Sequence, residues 1–164
     1  MTETEAYLVK LLRQLDDPEC LEWPRDYNRD EMATAFGRLV SRLEDDFATC
    51  CVVEQEVQDS SEYGRLIVPA EATVCGTRLV VCVSKFGSLA LVSAENPGAF
   101  LGTADARQEG ELDADDLAKT DRALNDLGYV VVPEEVLTLD YDGPSRFPSY
   151  VRRPSWWDRY FGSF

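Results

Sequence analysis

The chain has 164 residues, 31 Asp and Glu against 16 Lys and Arg, a formal charge of −15 and no histidine. Without imidazole there is no Ser-His-Asp or Cys-His nucleophile, no His-ligated metal and no acid/base group that titrates near neutrality in its ordinary state. The charge opposes binding to nucleic acid or an anionic membrane and suits a basic partner, while 45% apolar residues supply a core for a single domain spanning 1–164.

The start, Met1-Thr-Glu-Thr-Glu, lacks the basic and apolar regions of a signal peptide, and no apolar run is long enough to span a bilayer. A cytoplasmic protein with reduced cysteines is expected. Cys20, Cys50, Cys51, Cys75 and Cys82 have neither zinc nor disulfide spacing, so they read as small apolar fillers, Cys75 and Cys82 as buried ones.

In chain order, Thr2-x-x-Glu5 is a capping box for a helix carrying Leu8, Leu11, Leu12 and Leu15, which Pro18 ends. Asn28 and Glu31 open a second helix, whose apolar stripe runs Met32, Ala35, Phe36, Leu39, Val40, Leu43 and Phe47. Strands are predicted over Cys50–Val57, Tyr63–Val68, Arg78–Ser84 and Ser88–Ala94, the last two joined as a hairpin through Lys85-Phe86-Gly87. Arg78–Val83 is apolar on both pleat faces and reads as a central strand. The glycines and proline of 96–112 suggest loop. Asp113 and Asp116 start a third helix through Leu127, with Gly128 as its left-handed cap; Tyr129–Val132 is a strand and Pro133–Leu137 a short helical turn. The expected fold is α+β: two N-terminal helices packed on a mainly antiparallel four- to five-stranded sheet, then a further helix and a C-terminal aromatic helix.

Charge is uneven. Residues 105–143 hold twelve acidic and three basic side chains, whereas 144–164 are net basic and contain seven of the seventeen aromatics. Two candidate binding surfaces follow. One is acidic, comprising Asp113, Asp115, Asp116, Glu134 and Glu135, and would meet a basic protein by charge complementarity. The other is the aromatic tail, with Trp156, Trp157, Arg159 and Tyr160, residue types that dominate interface hot spots. The competing view of the tail is intramolecular, with Trp157, Tyr160 and Phe161 closing the core and the local arginines neutralising 105–143. The acidic pairs lack metal-ligand spacing, glycine-rich phosphate loops are absent, and Ser84 and Lys85 point to opposite faces of a strand, so no cofactor, metal or catalytic set is expected.

Ser84-Lys-Phe-Gly87 in a strand pair, Leu127-Gly-Tyr-Val-Val-Val-Pro-Glu-Glu-Val-Leu137, Tyr141-Asp-Gly143 and Trp156-Trp-Asp-Arg-Tyr-Phe161 resemble small bacterial immunity proteins of polymorphic toxin systems, over about residues 60–164. That resemblance implies a non-enzymatic cytoplasmic protein that binds and blocks a toxin domain; the acidic charge adds the expectation that the target is a basic protein such as a nuclease. The alternatives are a small enzyme using carboxylate or thiol chemistry beside the sheet, and an adaptor or chaperone working through its tail.

Overall fold

A computed structural model describes residues 1–55 and 59–163. The fold is α+β, with helices on both faces of a five-stranded sheet. Helix α1 (Glu3–Leu15) carries the Thr2/Glu5 capping box, and α2 (Arg29–Phe47) is capped by the Asn28 side chain, which accepts from the Glu31 N–H. Strands β1 (Val52–Gln55), β2 (Glu62–Val68), β3 (Leu79–Ser84) and β4 (Leu89–Ala94) pair antiparallel in chain order. The expectation that the first strand reaches Val57 extends into 56–58, outside the described residues. Between β3 and β4, Gly87 and Ser88 both have positive φ, and the Leu89 N–H donates to the Phe86 carbonyl. That is the pattern of a two-residue hairpin turn whose twist matches its strands.

After β4 the chain crosses over through α3 (Thr103–Gln108) and α4 (Ala114–Asp126) to β5 (Val130–Val131), which pairs parallel with β4. Helices α5 (Glu134–Leu137) and α6 (Trp156–Phe161) complete the chain. The helix α3 corrects the reading of 96–112 as loop. Gly102 and Gly110 flank its six residues instead of interrupting them, and Ala106 is buried against the sheet.

The alternation of β3 assigns the layers. Leu79, Val81 and Val83 face a core built with Phe36, Leu39, Leu43 and Phe47 of α2, Ala106 of α3, and Ala123 and Leu124 of α4. Val80 and Cys82 face the opposite core, built with Leu8, Val9 and Leu12 of α1, Val136 and Leu137 of α5, and Trp156, Tyr160 and Phe161 of α6. The two N-terminal helices therefore cover opposite faces. This is why β3 is apolar on both sides: a strand with water on one face would alternate apolar with polar.

Helix α6 is held by a Ser155/Asp158 capping box. Its buried face is Trp156, Tyr160 and Phe161, which corrects the expected Trp157, Tyr160 and Phe161: Trp157 is only half-buried. Of the five cysteines, Cys82 alone is buried, and Cys75 lies half-exposed in the connection between β2 and β3. That connection leaves the sheet for a 3-10 turn at Ala70–Ala72, so the strand-like composition around Cys75 is not matched by a strand there.

Candidate functional site

The five acidic candidates divide by what their carboxylates do. Asp113 is the N-cap of α4, where its Oδ2 accepts the N–H groups of Asp115 (3.0 Å) and Asp116 (3.1 Å). This satisfies helix donors that would otherwise have no partner and places negative charge at the positive end of the helix. Asp116 is 2% exposed, and its Oδ2 accepts the Val74 N–H at 2.8 Å, tying α4 to the link between β2 and β3. Glu134 is 7% exposed and its Oε2 accepts the Gly98 N–H at 3.4 Å. Of the five, only Asp115 and Glu135 are exposed.

Helix α3 connects the two acidic groups in space. The Glu135 side chain lies directly against Gly102 at the N-terminal end of α3, and Ala104 and Arg107 of α3 share a surface depression with Asp113. All five residues therefore gather at the end of the sheet where β3 begins and β4 finishes. The loop reading of 96–112 hid this link.

The tail turns inward. Trp156 and Tyr160 are buried, with the Trp156 and Tyr141 rings 4.7 Å apart in an edge arrangement, and the Tyr160 hydroxyl donates to the Leu12 carbonyl at 2.5 Å. Arg159 is also buried and pairs with Asp16. Arg153 reaches Asp140 at 3.4 Å between two exposed side chains. The expectation that the tail's arginines neutralise 105–143 holds only at this one exposed pair, since Arg159 is turned to Asp16 instead. The innermost arginine serves the α1–α2 connection, and among the described residues no cation comes within salt-bridge distance of Asp113, Asp115, Asp116, Glu134 or Glu135.

Trp157 is the tail candidate left at the surface, and it meets the acidic set. A cleft of about 250 Å³ opens between α5, α6 and the loop after β4, walled by Pro97, Leu137 and Trp157 with Glu134 in its lining. Glu134 is the cleft's one charged group. Burial pushes its carboxyl above the ordinary range; the Gly98 N–H opposes that rise, and the neighbouring Glu135 charge adds to it. Oε2 is engaged by Gly98, and among the described residues no donor reaches Oε1. A desolvated carboxylate beside an aromatic wall, with no cation of its own, is suited to a cationic group from outside. Sequence reasoning placed Glu134 and Trp157 on separate surfaces, and no local motif signals their meeting.

Ser84 and Lys85 form no dyad. The Ser84 Oγ accepts the Phe86 N–H at 3.1 Å, while the Lys85 Nζ donates to the Ser60 carbonyl at 2.7 Å and lies 3.5 Å from Glu22. Compared with protein-family models, with curated proteins and with solved structures, the chain matches none.

Proposed function

We propose that this protein is a non-catalytic cytoplasmic binding protein that neutralises a toxin domain, as the resemblance of residues 60–164 to immunity proteins implies. Its binding surface is the acidic end of the sheet, formed by Asp113, Asp115 and Glu135 around α3 and continued by the cleft of Glu134 and Trp157. The observation that carries the reading is that these carboxylates, in a chain of net charge −15, form no salt bridge among the described residues, although Arg107 shares a depression with Asp113. An uncompensated acidic surface attracts a basic partner and repels acidic ones, so it speeds encounter and selects by sign. A basic toxin domain such as a nuclease has that sign. No helix among the described residues is long and apolar enough to cross a membrane.

The test is co-purification with the product of the adjacent gene, followed by co-expression to measure protection. The expected result is a complex that weakens with rising salt, together with survival of cells making the toxin. No complex and no protection with any neighbouring product would defeat the proposal. Asp115→Lys and Glu135→Lys, both at exposed positions in the first turn of a helix, should each slow association, and each should lower the melting temperature of the free protein slightly by placing a cation at a helix N-terminus.

A further inference from the structure

We infer that the cleft between α5, α6 and the loop after β4 is an arginine socket, in which the guanidinium of a partner's side chain stacks on Trp157 and pairs with Glu134. The inference rests on the binding reading above and names the chemical group the surface grips. Three features of the cleft carry it. Its single charged group is the carboxylate of Glu134, a residue only 7% exposed, with one oxygen engaged by the Gly98 N–H and the other free of any described donor. One wall is the partly buried Trp157 ring, while Pro97 and Leu137 supply apolar sides. The outer neighbour, Glu135, adds a second exposed negative charge and no competing cation.

Arginine fits this arrangement better than lysine. The guanidinium is planar and weakly hydrated, so it loses less on entering a slot with apolar walls, and it can stack on an indole while pointing N–H groups at a carboxylate. An ammonium is compact and strongly hydrated and would surrender more of its water. A neutral planar side chain can stack but cannot form the charge-assisted bond to the Glu134 Oε1. The occupant is thus the side chain of one exposed arginine on a basic protein surface, and it adds a fixed anchor to the diffuse attraction of Asp113, Asp115 and Glu135. Anchors of this kind, an arginine buried against an aromatic and ringed by weaker contacts, commonly dominate binding energy.

The test uses the whole protein and a blocked tripeptide, acetyl-Gly-Arg-Gly-amide, with its citrulline and lysine counterparts as comparators. Binding is read from the NMR shifts of the Trp157 indole N–H and the Gly98 backbone N–H. Expected is a saturable shift at both positions, with arginine at least about tenfold tighter than citrulline, since a charge-assisted bond to a desolvated carboxylate is of that order. Glu134→Gln and Trp157→Ala should each abolish the Gly98 response, while Asp30→Asn, on the exposed face of α2, should leave it intact. Equal binding of arginine and citrulline, tighter binding of lysine, or a response that survives both cleft variants in folded protein would overturn the inference. Because the peptide assay needs no natural partner, its failure is separable from failure of the co-purification and protection tests.

Discussion

Arg159 of α6 and Asp16 at the end of α1, 143 residues apart in sequence, form an ion pair of 2.7 Å whose side chains are 0% and 1% exposed. The pair is embedded in further bonds. Arg159 also donates to the carbonyls of Leu21 (3.0 Å), Asp17 (3.2 Å) and Cys20 (2.9 Å), and its guanidinium lies 4.6 Å from the Phe86 ring centroid. Asp16 in turn accepts from the Ser145 hydroxyl at 2.6 Å and from the Tyr141 hydroxyl. One arginine thus closes the C-terminal segment onto the irregular connection between α1 and α2, whose carbonyls have no helix or sheet to satisfy them.

Arg159→Ala should therefore be among the most damaging single changes in the chain. It strands the buried Asp16 carboxylate and removes the donor from the part-buried carbonyls of Cys20 and Leu21, and breaking a buried pair from one side costs about 3–5 kcal/mol. Against a total domain stability of roughly 5–15 kcal/mol, that puts the variant near the edge of folding. Urea unfolding should show a sharply lower midpoint with an unchanged slope. A midpoint within error of the parent would mean that the pair contributes nothing net. Arg159→Lys should recover little, because one ammonium cannot span the carboxylate and three carbonyls together.

Adjacent tryptophans separate the core from the proposed binding surface. Trp156→Ala removes a fully buried indole packed on Tyr141 and Tyr160 and should cost about 3–5 kcal/mol. Trp157→Ala removes a partly buried ring at the cleft wall, packed on the edge of the second core, and should cost clearly less than Trp156→Ala, about 1–2 kcal/mol, while weakening capture of the partner. Thermal melts and co-purification on both variants check the contrast. A Trp157→Ala protein as unstable as Trp156→Ala would show that this indole, too, is core.

How legible this was beforehand varies with element length. Helices α1, α2 and α4 are long enough to show a cap and a full apolar stripe, and the unbroken Leu79–Val83 run announces a strand covered on both sides. Which helix covers which face is another matter, because that depends on whether Val80 or Val81 points toward α1, a choice made by sheet register and invisible in local pattern. Helices of six residues carry too few positions to fix a face. In α6 the neighbouring Trp156 and Trp157 give competing stripes, and the choice is decided by the Ser155/Asp158 cap and by Arg159 reaching Asp16. The cleft was least accessible of all. Glu134 and Trp157 belong to separate elements, and only the docking of α6 beside α5 brings them together.

Thiol reactivity should follow burial. Cys50 is exposed, whereas Cys82 is 1% exposed and its thiol is pushed well up, first by burial and then by Glu62. Cys51 is pushed up to about 11, mainly by burial, with Glu44 and Cys50 adding to the rise. The thiolate is the reacting form, so raised and buried thiols react slowly. With a disulfide reagent near neutral pH, Cys50 should be modified first and Cys82 only upon unfolding. Rapid labelling of Cys82 in folded protein would require β3 to open locally.

The acid dependence of stability should carry the mark of Glu134. Its carboxyl titrates above its ordinary 4.5 in the folded chain, chiefly because burial disfavours the charge. A group that holds its proton more tightly when folded favours the fold below its ordinary value and costs stability once pH exceeds the raised folded value. Glu134→Gln removes that cost while keeping an oxygen for the Gly98 N–H, so the variant should melt higher than the parent near neutral pH. As pH falls through the folded value the parent becomes neutral at this position as well, and the gap should close below about pH 4.5. Melting curves of both proteins across that range provide the check, and an equal or lower melting temperature for Glu134→Gln at neutrality would show that the carboxylate is stabilised by the fold as a charge. The same variant is expected to lose arginine, so a gain in stability paired with a loss of binding would mark Glu134 as a group kept for recognition at the expense of the fold.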